Sequence, residues 1–106
     1  MSPDAVFAAL ASPVRREVLR ILLVGGARSV QALAEHFDMQ RPSLSEHLKV
    51  LKDAGLVSEQ KQGRFRYYSL EAAPLHDLTE WLSPYEQFWR RKLRGLRDLL
   101  DEEDDL

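Results

Sequence analysis

Arg41, Ser45, Glu46 and Lys49 are threaded among Leu44, Leu48 and Leu51, which recur at i, i+4 and i+7. On a helix turning about 100° per residue with Leu44 at zero, Leu48 falls near 40° and Leu51 near 340°, a single apolar face. Pro42, Ser45, Glu46 and Lys49 fall between about 100° and 200°, on the opposite side. That side is small and polar near its N-terminal end, as a helix entering a major groove requires. Arg41 and Lys49 flank it with charge for phosphates or guanine edges, Ser45 can bond either, and Glu46 can accept from a cytosine amino group. A solvated surface helix would look similar, and these residues alone do not choose between the two.

A second cluster follows. Lys61, Arg64 and Arg66 lie within six residues around Gln62-Gly63, between two runs that read as short strands, Val57 to Lys61 and Arg64 to Leu70. A tight hairpin would carry this charge at its tip and sides, although a charged hairpin edge also serves simply to block edge-to-edge pairing. Other chemistry is thinly represented. Ser43 and His47 are i, i+4, but no orienting acid or oxyanion glycine loop accompanies them, and no phosphate-binding glycine motif occurs, so an enzyme is not expected. His76 and Glu80 have a spacing that could bind zinc and equally suits a surface pair. No metal and no cofactor are expected, and His36 adds little.

The elements that must hold these clusters are mostly helices. Ser12-Pro13 starts one, with Ser as N-cap and Pro at the first position; Val14, Val18, Leu19 and Leu22 give it an apolar side, and Gly25-Gly26 stop it. Val6, Phe7 and Leu10 mark a shorter helix before it. Ser29 can cap a third, with Val30, Leu33, Ala34 and Phe37 as its apolar side. After the turn Asp38-Met39-Gln40, Pro42 opens the fourth, and Gly55 ends it. The fold expected is therefore mainly α with a small β-hairpin, in the order of a winged helix-turn-helix.

At 106 residues the chain suits one domain, and no apolar run approaches the roughly 18 residues of a membrane span. Without cysteine there is no disulfide, thiolate metal site or thiol nucleophile. The N-terminus lacks the basic region of a signal peptide, so a cytoplasmic location is expected. A net charge of −2 invites the exclusion of nucleic acid, but residues 1–100 carry 15 basic against 12 acidic side chains, a net of +3. The remaining acids lie in the tail, residues 101–106, which is expected to fray because negative charge at a helix C-terminus opposes the macrodipole.

Three stretches carry a resemblance. Leu10-Ala11-Ser12-Pro13-Val14-Arg15-Arg16-Glu17-Val18-Leu19 resembles the L-A-[DS]-P-x-R-x-x-[IV]-L opening of the ArsR/SmtB family of bacterial and archaeal winged-helix repressors. Residues 43–57, from Ser43 to Val57, are similar to that family's recognition helix and its exit into the wing. Gly63-Arg64-Phe65-Arg66-Tyr67-Tyr68-Ser69-Leu70 resembles its G-R-x-x-x-Y-x-L wing. The likeness covers about residues 4–82. It implies a homodimer pairing through N- and C-terminal helices, with Arg41, Pro42, Ser43, Ser45, Glu46 and His47 at positions that touch operator DNA. Where family metal sensors often carry Cys-x-Cys, Ser29 and Gln31 stand here, and His76, Asp77 and Glu80 echo a second family metal site only in part.

Beyond the wing, Leu75, Leu78, Trp81 and Leu82 form one amphipathic segment. Ser83-Pro84-Tyr85-Glu86 then reads as a capping box at which a helix restarts or kinks. The last helix, residues 83–100, carries Trp89, Leu93, Leu96 and Leu100 at spacings of 4, 3 and 4, widened by Phe88 and Leu99. This is too much apolar surface for one exposed rod, so burial in a dimer interface is expected for Leu78, Trp81, Leu82, Tyr85, Phe88, Trp89, Leu93, Leu96 and Leu100, together with Val6, Phe7 and Leu10. A pocket for an apolar effector between subunits is the rival use of the same residues. Arg90, Arg91, Lys92, Arg94 and Arg97 are expected to form a solvated face paired with Glu86, Asp98 and Asp101. The organisation expected is a winged helix-turn-helix over residues 1–82, a dimerising extension over 83–100 and an acidic tail over 101–106. The function expected is a sequence-specific repressor of transcription that binds double-stranded operator DNA, with a protein-interaction module that has lost DNA binding as the alternative.

Overall fold

The computed structural model describes residues 3–104, with side chains through Glu102. In chain order the elements are α1 (Asp4–Leu10), α2 (Pro13–Gly25), β1 (Arg28–Ser29), α3 (Val30–Ala34), α4 (Arg41–Asp53), β2 (Val57–Gln62), β3 (Phe65–Leu70) and α5 (Ala73–Asp104). The strands form one antiparallel sheet in the order β1-β3-β2. This is the winged helix-turn-helix order. Residues up to His76 make one compact unit and those from Asp77 a second.

In the first unit, local signals set the helix ends. The Ser12 hydroxyl accepts from the Arg15 amide at 3.3 Å, and Pro13 opens α2. The Ser29 hydroxyl accepts from Ala32 at 3.1 Å and starts α3. That helix is only five residues long, so Phe37 falls in the connection, residues 35–40, which is longer than the expected turn. Helix α1 has no glycine stop. Instead Arg15 donates to the carbonyls of Ala8 and Ala9, and Arg16 to that of Leu10, so cations satisfy the last carbonyls of a helix.

Helix α4 buries Leu44, Leu48 and Leu51 at 1%, 1% and 0% exposure, the face expected from their spacing. Val18, Leu22, Leu33, Leu56 and Val57 are buried with them in the core. The end of α4 is fixed by two hydrogen bonds, Gly55 N–H to Lys52 O and Leu56 N–H to Leu51 O, both 2.9 Å. With Gly55 at φ +77° this is a Schellman stop, and the following Leu56 is drawn into the core. Helix α4 and the β2–β3 hairpin are therefore joined by a turn that glycine's positive φ makes possible.

The hairpin turns at Gly63-Arg64, one residue later than Gln62-Gly63, because Gln62 pairs with Phe65 across the ladder. Gly63 has φ +63° and no described non-glycine residue has positive φ, which makes this a type II′ turn. Arg64 therefore sits in the turn and not at the start of β3. The two-residue β1, not anticipated from sequence, pairs Arg28 with Tyr68 and Ser29 with Tyr67.

The second unit lies on α5, which runs unbroken for 32 residues with Pro84 inside it. No new helix starts at Ser83, so the restart read from the capping box is corrected. Proline removes one hydrogen bond, and that local loss does not end a helix supported on both sides. Nor does the helix stop before the acidic tail: it continues to Asp104, since the macrodipole penalty is confined to a terminal turn and is small at an exposed end. Asp105 and Leu106 lie outside the described residues. None of the three ion pairs expected between α5's basic residues and Glu86, Asp98 and Asp101 forms among the described residues. Exposed i, i+4 pairs gain too little to hold two long side chains in place. Lys92 instead lies over the Phe88 ring, 5.4 Å from its centroid.

Candidate nucleic-acid interface

Helix α4 and the β2–β3 wing position the candidate residues. Arg41, Pro42, Ser43, Ser45, Glu46 and Lys49 are all exposed on α4, and Lys61, Arg64 and Arg66 are exposed on the wing. One shallow groove is lined by Arg41 and Ser45 from α4, Arg64, Phe65 and Arg66 from the wing, and Ser29, Val30 and Gln31 at the start of α3. A neighbouring groove is lined by Ser45, Glu46, Lys49 and Lys52 with Glu59, Arg66, Tyr68 and Val30. Val30, Ser45 and Arg66 line both, so α4 and the wing present one continuous cleft. Pro42, Ser43, His47 and Lys61 line neither groove.

His47 is half-buried, and its Nδ1 lies 3.2 Å from Arg15 Nη1. A guanidinium can only donate, so Nδ1 is the acceptor in this contact. The same Arg15 holds Ala9 O at 2.6 Å and Ala8 O at 3.1 Å. His47 thus helps to orient α4.

Glu59 was not singled out by the sequence reading. On β2 it stands directly across the ladder from Tyr68. Its carboxylate accepts from the Tyr68 hydroxyl at 3.0 Å and from Lys52 Nζ at 3.3 Å, and pairs with Arg66 Nε at 3.6 Å. The Tyr68 hydrogen bond, with Lys52 and Arg66 beside it, holds this carboxyl below the usual carboxylate range. Burial and the adjacent carboxylate push the Tyr68 hydroxyl up to about 12. Lys52, Phe65 and Gln31 also join the site. Lys52 follows Lys49 by three positions on α4, and Phe65 is 47% exposed on the wing; both signals were present in the helical and strand periodicities.

A helix-turn-helix domain model matches residues 10–60. The transcriptional repressor SdpR of Bacillus subtilis is 43% identical over 77 residues, which cover 73% of this chain and 84% of that protein. A crystal structure of an ArsR family transcriptional regulator superposes with a TM-score of 0.75 at 38% identity, covering 82% of this chain and 94% of that one. The chain belongs to the ArsR/SmtB family of DNA-binding transcriptional repressors. HTH-type transcriptional regulator Rv2034 of Mycobacterium tuberculosis is 39% identical over 98% of this chain and 94% of its own. Where family metal sensors often carry their first cysteine, this ArsR-type chain has Ser29, whose hydroxyl is occupied in capping α3. Among the described residues no three His, Cys, Asp or Glu side chains gather as a metal site would need, and no helix is long and apolar enough to cross a membrane.

The apolar residues expected at a dimer interface fall into three groups by exposure. Val6 and Leu78 are only 6% and 8% exposed within the single chain; they are already covered there and have little surface to give a partner. Phe7 and Leu10 are half-buried. Trp81, Leu82, Tyr85, Phe88, Trp89, Leu93, Leu96 and Leu100 are exposed, from 39% at Leu82 to 63% at Trp89.

Proposed function

We propose that this ArsR-family repressor acts in the cytoplasm as a symmetric homodimer on an inverted-repeat operator. Each protomer would place α4 in a major groove, with Ser45 and Glu46 at base edges and Arg41 and Lys49 at phosphates or guanines. The wing would set Lys61 and Arg64 against flanking phosphates, with Arg66 beside Arg64 in the cleft. The observation that carries this reading is the continuous cleft shared by Arg41, Ser45, Arg64 and Arg66, because base-reading and phosphate-holding groups then face one ligand together. Two-fold symmetry gives half-site centres about 10 bp apart, or a multiple of it. The exposed apolar stripe of α5 supports the dimer, with residues 83–100 as the extension that joins the protomers.

The test is a footprint on the DNA upstream of the protein's own gene, followed by titration against salt. A protected palindrome and a log K that falls steeply with log salt are expected. A flat salt dependence, or equal affinity for every sequence, overturns the reading.

A further inference from the structure

We propose that Glu59 is a specificity-determining residue: it withholds Lys52 and Arg66 from indiscriminate phosphate contact, and so weakens binding to random DNA more than to the operator. The inference rests on the DNA-binding reading of the α4–wing cleft.

The sheet face that carries Glu59 changes character along its length. Val57 and Tyr68 are buried, Glu59 is mostly covered, and Lys61 and Arg66 beyond it are exposed and directly opposed in the ladder. A carboxylate at that boundary serves no need of the apolar core. Its three partners come from two elements, Lys52 from the end of α4 and Tyr68 and Arg66 from β3. Tyr68 supplies a neutral donor that fixes one oxygen. Lys52 hydrogen-bonds the carboxylate at 3.3 Å and Arg66 pairs with its other oxygen at 3.6 Å, so both cations lie beside a charge of the sign that a phosphate carries.

Lys52 and Arg66 line the cleft with Ser45 and Lys49, so a DNA backbone seated there competes with Glu59 for both. Binding to random DNA comes almost entirely from phosphate neutralisation. On random sequence a protein can shift to whatever register satisfies its cations. On the operator, base contacts from α4 fix the register, and Lys52 and Arg66 gain only if a phosphate falls within reach. Holding them back therefore costs the random complex more. The same bridge ties the end of α4 to the wing, which favours the one geometry that reads bases and grips backbone together.

Glu59→Gln retains an acceptor for Tyr68 and removes the charge. Each released cation that meets a phosphate should steepen the salt slope by about 0.9, so freeing one or both makes random-DNA affinity fall about 4- to 12-fold further between about 50 and 200 mM salt. At the low-salt end random affinity rises, and the operator-to-random ratio falls. In a Lys52→Gln, Arg66→Gln background, Glu59→Gln should no longer do this. An unchanged slope overturns the proposal, and so does an equal gain in that background, which would show general loss of negative charge and nothing more. If Glu59→Gln does not fold by circular dichroism, Lys52→Gln decides: with Glu59 present it should flatten the slope less than half as much as Arg64→Gln. Equal flattening overturns the proposal. A wild-type protein with no salt dependence defeats the DNA-binding reading itself, which separates the two failures.

Discussion

Arg15 Nη1, on the first turn of α2, lies 3.2 Å from Nδ1 of His47 near the middle of the recognition helix. The remaining donors of the same guanidinium hold the carbonyls of Ala8 and Ala9 at the end of α1. One side chain thereby ties three helices, α1, α2 and α4. Arg15→Ala leaves two helix-end carbonyls and an imidazole nitrogen without their donor, at about 1.5–3 kcal/mol for a hydrogen bond to a charged group and more for the set. Arg16→Ala loses a single exposed bond to Leu10 O. Urea unfolding should show Arg15→Ala destabilised well beyond Arg16→Ala, and equal midpoints would disprove the tie.

The two faces of α4 should separate stability from recognition. Leu48 is 1% exposed, and Leu48→Ala should cost about 2–5 kcal/mol through lost transfer energy and a cavity. Ser45 is exposed, so Ser45→Ala should change stability by less than about 0.5 kcal/mol. It should nevertheless relax operator choice, whereas Arg64→Gln should weaken operator and random DNA alike. Thermal unfolding with competition gel shifts checks both, and a Ser45→Ala protein with unchanged sequence preference would remove that residue from the readout.

The Glu59–Tyr68 pair predicts behaviour at both ends of the pH scale. Tyr68 is pushed up to about 12 from an ordinary value of 10.0, so its contribution to stability is complete below pH 10 and is lost as pH rises towards 12. Glu59 is shifted downwards, so its contribution is present above the ordinary carboxylate value and is lost as pH falls through its lowered one. In a 295 nm absorbance titration Tyr68 should ionise late, and Tyr68→Phe should remove that late phase. Glu59→Gln should bring the phase earlier, and the absence of any late phase would contradict the pair.

What the chain's local signals encode, they encode well: Ser12, Ser29 and Gly55 each act at the helix end where their chemistry belongs, and the Leu44, Leu48, Leu51 spacing predicted the buried face of α4. The features that were missed depend on residues distant in sequence. Arg15 meets His47 across 32 positions, and Glu59 meets Lys52 and Arg66 only after α4 and the hairpin have folded. A two-residue β1 has too little pattern to announce itself. Pro84 misled for a different reason: Ser-Pro-Tyr-Glu is a sound start signal in isolation, and the helix on both sides of it overrides the local preference.

The stripe on α5 carries the last prediction. Leu93 and Leu96 are 61% and 56% exposed, and covering a leucine side chain fully contributes about 1.5–3 kcal/mol. Nine exposed apolar side chains from Trp81 to Leu100 offer far more than an isolated helix needs, and Trp81 and Tyr85 are already stacked at 5.0 Å. If a second copy covers them, Leu93→Lys with Leu96→Lys places two charges per protomer into that interface, four in all. Sedimentation should then shift from dimer to monomer at micromolar concentration. Helix α4 and the wing lie in the unit that ends at His76, so random-DNA binding per protomer should survive while operator affinity collapses, because one protomer reads only a half-site. A double variant that remains dimeric would show that the stripe is used otherwise, and a monomer with full operator affinity would show that the operator is not read as a pair of half-sites.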